Sequence, residues 1–193
     1  DQALFSLQRG SLEARVAPPP AVPPGFFQID TGIGRVIDQG CSYELSLDTP
    51  ERAHVRVTEG AVTFVFPQRT VFVPAGANTI VVAGTGPSTP LFEACTPELR
   101  KAVRYYDELA EKSRSVKGGA DMRLKGLEIV REHCKDRRDS LPLWHMLRDD
   151  DETVRLQAEA ALLELVGPPP GPKAKDEHWD PEVWLGYLRL NAW

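Results

Sequence analysis

No lysine occurs before Lys101, no tryptophan before Trp144, and the chain contains only three cysteines. No run of about 18 apolar residues occurs anywhere, so no segment is suited to cross a membrane as a helix. No charged-then-apolar leader opens the chain either. The formal net charge of -5 argues against broad nucleic-acid binding, which needs a clustered positive surface. The histidines, His54, His133, His145 and His178, stand far apart, and neither an H-E-x-x-H nor a C-x-x-C spacing is present, so no pre-built zinc site is signalled. His133 and Cys134 are adjacent, but neighbours on a helix diverge by about 100° and point apart. The stretch 84–90, GTGPSTP, has glycines without the lysine and following helix of a phosphate loop, and its two prolines lack the amide donors a phosphate needs. It reads as a linker between two halves. Asp38 with His54 is the one imaginable catalytic dyad, yet Asp38 before Gln39–Gly40 reads as turn chemistry. No catalytic residue, no cofactor-binding residue and no metal ligand is assigned.

What is present divides the chain near residue 96. Strand formers (Val, Phe, Thr) with Gly and Pro dominate before it, and helix formers (Leu, Ala, Glu, Arg, Lys) after it. The expected fold is α+β: an all-β sandwich or roll of short, mainly antiparallel strands over 1–90, followed by about five helices over 91–193. In GSLEARV, Leu12, Ala14 and Val16 share one face. Prolines at 18–20 and 23–24 interrupt regular pairing. Short strands follow at 26–29 and 35–38. The clearest strand is 41–48, with Cys41, Tyr43, Leu45 and Leu47 on one face and Ser42, Glu44, Ser46 and Asp48 on the other. Val55 and Val57, then Val62, Phe64 and Phe66, then Val71 and Val73, then Ile80 and Val82 continue the alternation, with turns at 49–50, 59–60, 67–68 and 75–76. Strands this closely spaced leave no room for crossover helices, which excludes a Rossmann-type sheet.

In the second half, Thr96 caps and Pro97 opens a helix whose face is Leu99, Ala102, Val103, Tyr106 and Leu109. Gly118–Gly119 interrupt it. Leu124, Leu127, Val130 and Cys134 mark a second helix. Ser140 is expected to cap a short third carrying Leu143, Trp144 and Leu147. The acidic run 149–152 reads as a solvated cap for a fourth, lined by Val154, Ala158, Ala161, Leu162 and Leu165 and ended by Gly167 and the prolines. Asp180–Pro181 starts a fifth with Val183, Trp184, Tyr187 and Leu188. Trp144 and Trp184 fall on apolar faces. Trp179 and Trp193 are candidates for a partner surface, since tryptophan is enriched at binding hot spots.

The segments RGSLEARV, FFQIDTGIGRVIDQGCSYELSL, VRVTEGAVTFV and RTVFVPAGA resemble the FecR-like domain, the extracytoplasmic part of bacterial membrane regulators of extracytoplasmic-function sigma factors. The family's F-V-x-T-P-x-A, D-x-G-x-x-Y/F-x-L/V, V-x-V-x-x-G-x-V and V-x-x-x-A-G patterns correspond to residues 27–31, 38–45, 55–62 and 71–76. Gly32 stands where proline is usual. The resemblance covers about residues 9–82 and rests on structural glycines and core apolars. Residues 140–166 are similar to a single HEAT unit, which cannot bury its faces alone.

The resemblance implies a non-enzymatic signalling or interaction module on the periplasmic side, anchored by a transmembrane helix upstream of residue 1. Its partner would be a protein, either another envelope or outer-membrane protein or its own cytoplasmic signalling part, with sheet-edge addition as a contact mode. Export would permit a Cys41–Cys95 disulfide; the apolar strand face of Cys41 reads more simply as a buried free thiol. The alternatives are a cupin-like metal enzyme, for which the β half offers only His54 with Glu44 and Asp48, and an envelope carbohydrate-binding module.

Overall fold

The computed structural model describes residues 3–16, 25–116, 118–171, 173 and 178–193. The prolines expected to interrupt pairing at 18–20 and 23–24 lie outside these. The chain is α+β and divides into two compact units, Asp1–Ala94 and Cys95–Trp193. Among the described residues of the first unit, eleven strands form two sheets: β1 (Ala3–Ser6), β2 (Gly10–Arg15), β3 (Phe27–Asp30), β4 (Arg35–Asp38), β5 (Ser42–Thr49), β6 (Arg52–Glu59), β7 (Ala61–Phe66), β8 (Arg69–Pro74), β9 (Ala77–Val82), β10 (Gly86–Pro87) and β11 (Leu91–Phe92). One sheet runs β1-β3-β4-β7-β8; the other runs β10-β9-β6-β5-β2, with β11 also on β9. Every pairing is antiparallel except β1 with β3.

Alternation places the core. Cys41, Tyr43, Leu45 and Leu47 are all buried, and on β6 the buried Val57, Val55 and Ala53 stand opposite the last three. Val36, Val62, Phe64, Val71 and Val73 supply the buried side of the other sheet. These side chains leave water together, and each fully buried one is worth about 1.5–3 kcal/mol.

Two expectations need correction here, and one strand is additional. On β9 the inward residues are Ala77, Thr79 and Val81, while Ile80 is half-buried and Val82 is 38% exposed. A one-residue slip exchanges the two faces of a strand. Three consecutive apolar residues, Ile80–Val82, fit either register, and Thr79 faces inward because its hydroxyl donates to the Ser88 carbonyl at 2.8 Å. The stretch 84–90 is also no free linker. Gly86 and Pro87 pair with Val82 and Val81, and Arg69 donates to the Pro87 carbonyl at 3.0 Å and to Thr89 Oγ1 at 2.6 Å. Finally, β1 has no counterpart in the sequence reading, because ALFS carries no period-two alternation.

The second unit holds α1 (Pro97–Ser113), α2 (Gly119–His133), α3 (Ser140–Met146), α4 (Glu152–Val166) and α5 (Pro181–Asn191). Thr96 Oγ1 accepts from Leu99 N at 3.2 Å, and α1 buries the five-residue face its spacing predicts. Gly126 lets α2 approach α1 closely, since a Cβ there would lie 3.2 Å from Tyr106 Cα. Helix α2 also packs on α4, and α3 packs on α4 and α5.

Several helix details differ from expectation. Ser140 does not cap α3; its hydroxyl donates to the Arg137 carbonyl at 2.6 Å. A 3-10 turn, Arg137–Asp139, precedes the helix, closed by a reciprocal Asp136–Asp139 capping box. Cys134 lies just past α2 in extended backbone. Val183 is 42% exposed, leaving Trp184 and Leu188 as the buried residues of α5. In the acidic run, Asp151 caps α4 through Thr153 N and Val154 N. Asp149 is no solvated cap: its side chain is 10% exposed and pairs with Arg123 at 3.0 Å.

Candidate interaction surfaces

In the β unit the groups that could carry chemistry do not converge. Asp38, at the end of β4, faces the interior and is 3% exposed. Its Oδ1 accepts the Gly40 amide at 2.6 Å, the turn contact its sequence context implies, and its Oδ2 accepts the Cys41 thiol proton. His54 lies on β6 in the other sheet, half-buried between Ser46 and Ile80 on the side away from the core. The imagined Asp38–His54 dyad is therefore not formed. Glu44 and Asp48 are exposed, on the outward positions of β5. The three residues required by the cupin-like alternative thus point away from the interior, because strict alternation sends them opposite to Tyr43 and Leu47.

Burial, reinforced by the hydrogen bond and charge of Asp38, drives the Cys41 thiol far above its ordinary range. A thiol so held stays protonated and is a poor nucleophile. Burial likewise raises Tyr43, whose hydroxyl has no hydrogen-bond partner among the described residues. Cys41 and Cys95, weighed as a bridge, are both free thiols, as is Cys134, which burial pushes up to about 12. Among the described residues no group of three or more His, Cys, Asp or Glu is arranged to hold a metal ion.

The first exposed surface of note is the β1 edge. β1 pairs with β3 on one side, and no described strand pairs with its other side. Leu4 is 57% exposed and Phe5 54% exposed, with the Phe5 ring 5.0 Å from that of Phe27. Edge strands in soluble proteins are usually blunted by charge, proline or a bulge; Ala3–Ser6 contains none of these.

The second is a cleft of about 410 Å³ in the helical unit, lined by Leu147, Arg155, Glu159, His178, Trp179 and Pro181. Glu159, on α4, is 6% exposed. Its Oε1 accepts from Trp179 N at 2.9 Å and from Trp184 Nε1 at 3.3 Å, and its Oε2 meets His178 Nδ1 at 2.9 Å. Burial works to raise the Glu159 pKa, but these bonds outweigh it and hold the group below its ordinary value.

Sequence reasoning missed Glu159. The only available signal was its spacing three and seven residues before Leu162 and Val166, which puts it on their side of the helix. The structure places both candidate partner tryptophans half-exposed. Trp179 donates its indole N–H to the Gly171 carbonyl at 3.3 Å and lies edge-on to Trp184; Trp193 donates to Ser140 Oγ at 2.9 Å and lies edge-on to Trp144.

No protein-family model matches the chain, and no curated protein matches it. Over part of its length it is similar to two solved structures from Parabacteroides distasonis, each provisionally described as an anti-sigma factor. Both align at 22% identity and a TM-score of 0.35, over 40% of this chain and 36% of theirs. The chain thus spans little more than a third of the length of those structures.

Proposed function

We propose that this chain is the sensing and docking part of a membrane-anchored, FecR-like regulator of an extracytoplasmic-function sigma factor, and that it works by protein contact rather than catalysis. The observation that carries the reading is the β1 edge: an uncharged strand whose outer side no described strand pairs, with two exposed apolar residues. Such an edge accepts an added strand, whose main chain completes the ladder while side chains set specificity. Support also comes from the sites of the FecR-like resemblance. The glycines at 40, 60 and 76 all adopt the positive φ that their turns require. In this reading a partner binds the edge, stabilises one of two states of the regulator by differential affinity, and passes that shift to a cytoplasmic part.

Two measurements test it. In a strain carrying a reporter for the sigma factor that the full-length regulator controls, Phe5→Lys is expected to abolish signalling while circular dichroism stays unchanged. Unaltered signalling would remove the edge from the mechanism. In spheroplasts of the same strain, external protease is expected to digest this region of the full-length protein. Protection there would overturn the extracytoplasmic placement.

A further inference from the structure

Helix α5 is fastened at its entrance by one buried carboxylate. All three donors to Glu159, namely His178 Nδ1, Trp179 N and Trp184 Nε1, belong to the segment that leads into α5 or to its first turn. Trp184 is fully buried, and the Trp144 indole of α3 donates to the Pro181 carbonyl at 2.8 Å, so the same end of α5 covers Trp144. We propose that Glu159 and its three donors form a proton-operated clasp that holds α5 on α3 and α4, and that protonating Glu159 releases α5 and bares the Trp144 face. The inference stands apart from the reading of the β1 edge.

The chemistry follows from the donor count. An ionised carboxylate is acceptor-only and can serve three donors; the protonated acid carries a donor of its own and loses the charge that strengthens each bond. Other charged groups around the clasp do not duplicate it. From α4, Glu152 is exposed and Arg155 donates to the Asp149 and Asp150 carbonyls. On the incoming segment, Asp180 is exposed and caps α5 through Glu182 N, and Lys173 stacks over Trp179. From the turn just after α3, Arg148 pairs with the exposed Glu182 of α5. Glu159 is the buried carboxylate of the set. Its pKa lies below the ordinary 4.5, despite burial acting the other way, because of the three hydrogen bonds. A group lowered in the folded state stabilises it above the ordinary value and loses that contribution as pH falls through the lowered one. The clasp is therefore closed at neutral pH and opens in acid.

Hydrogen–deuterium exchange of the intact chain between pH 7 and pH 3, corrected for intrinsic rates, tests the clasp. Protection of α5 is expected to be lost before that of α1, α2 and α4. Glu159→Gln should show the same selective loss at pH 7, with little further change in acid. His178→Ala should move the α5 midpoint to higher pH, and this variant carries the test if the glutamine form does not fold. Loss of protection in all helices in one step, a glutamine variant with α5 as protected as in the unaltered chain, or an unmoved midpoint in His178→Ala would each overturn the proposal.

Discussion

Gly60 is held at φ 67°, and a Cβ there would stand 2.2 Å from the Gly40 carbonyl oxygen. Replacement by alanine must displace one turn against the other as well as force a left-handed backbone, so Gly60→Ala is expected to cost about 2–3 kcal/mol in denaturant unfolding. Gly32 provides the control. It has the same sign of φ, at 78°, but nothing lies within 4 Å of the added carbon; Gly32→Ala should cost only about 1 kcal/mol. Equal costs at the two positions would show that backbone conformation, and not the crowding at Gly60, is what matters. Thr79 tests the corrected register. Thr79→Val keeps the shape but removes the donor to the Ser88 carbonyl, and should cost about 1–2 kcal/mol if the side chain faces the core. A neutral result would return Thr79 to the solvent side. The turn glycines were legible because each closes a clear alternating run, whereas the face of β9 was not, because Ile80–Val82 satisfy both faces.

At the level of elements, spacing located strands and helices where one period dominated. The burial of Cys41, Tyr43, Leu45 and Leu47 and of the α1 face follows directly from it. What spacing missed was set by contacts distant in sequence. β1 exists only by pairing with β3, some two dozen residues on. β10 is strand because it lies beside β9, with Arg69 bonding to its Pro87 carbonyl. The clasp at Glu159 depends on donors about twenty residues away. Asp149 belongs to this group. Its acidic neighbours suggest a solvated cap, yet it accepts from Arg123 Nε and from the Tyr106 hydroxyl at 3.4 Å, while Arg123 also donates to Ser113 Oγ at 2.8 Å. The carboxylate thus ties α1 and α2 to the turn before α4. Asp149→Ala leaves the largely buried guanidinium of Arg123 without its counter-charge, and an expected loss of about 3 kcal/mol follows from breaking one side of such a pair. Adding Arg123→Met should recover part of that loss, because the stranded charge is then gone. Thermal unfolding of the single and double variants measures both, and a double variant no better than Asp149→Ala would mean that the pair's own attraction outweighs the stranded charge.

At the scale of the whole molecule, the decisive property is that each unit buries its own core. Leu45, Val55, Phe64 and Val81 are fully buried within Asp1–Ala94, and Leu99, Leu141, Trp144, Leu162 and Trp184 within Cys95–Trp193. A chain with two such cores is expected to behave as two folding domains, since cooperativity follows the contiguous core and not the polypeptide. Produced separately, residues 1–94 should give a strand-type circular dichroism spectrum and residues 95–193 a helical one, each with a single cooperative melt. All four tryptophans lie in the second unit, so indole fluorescence of the intact chain reports that unit alone while far-ultraviolet dichroism reports both. If the cores are independent, the fluorescence melt of the intact chain will match that of the 95–193 piece, and Gly60→Ala will shift the strand signal without moving it. A piece that stays unfolded in isolation, or a fluorescence melt that follows Gly60→Ala, would show that the two cores stand or fall together.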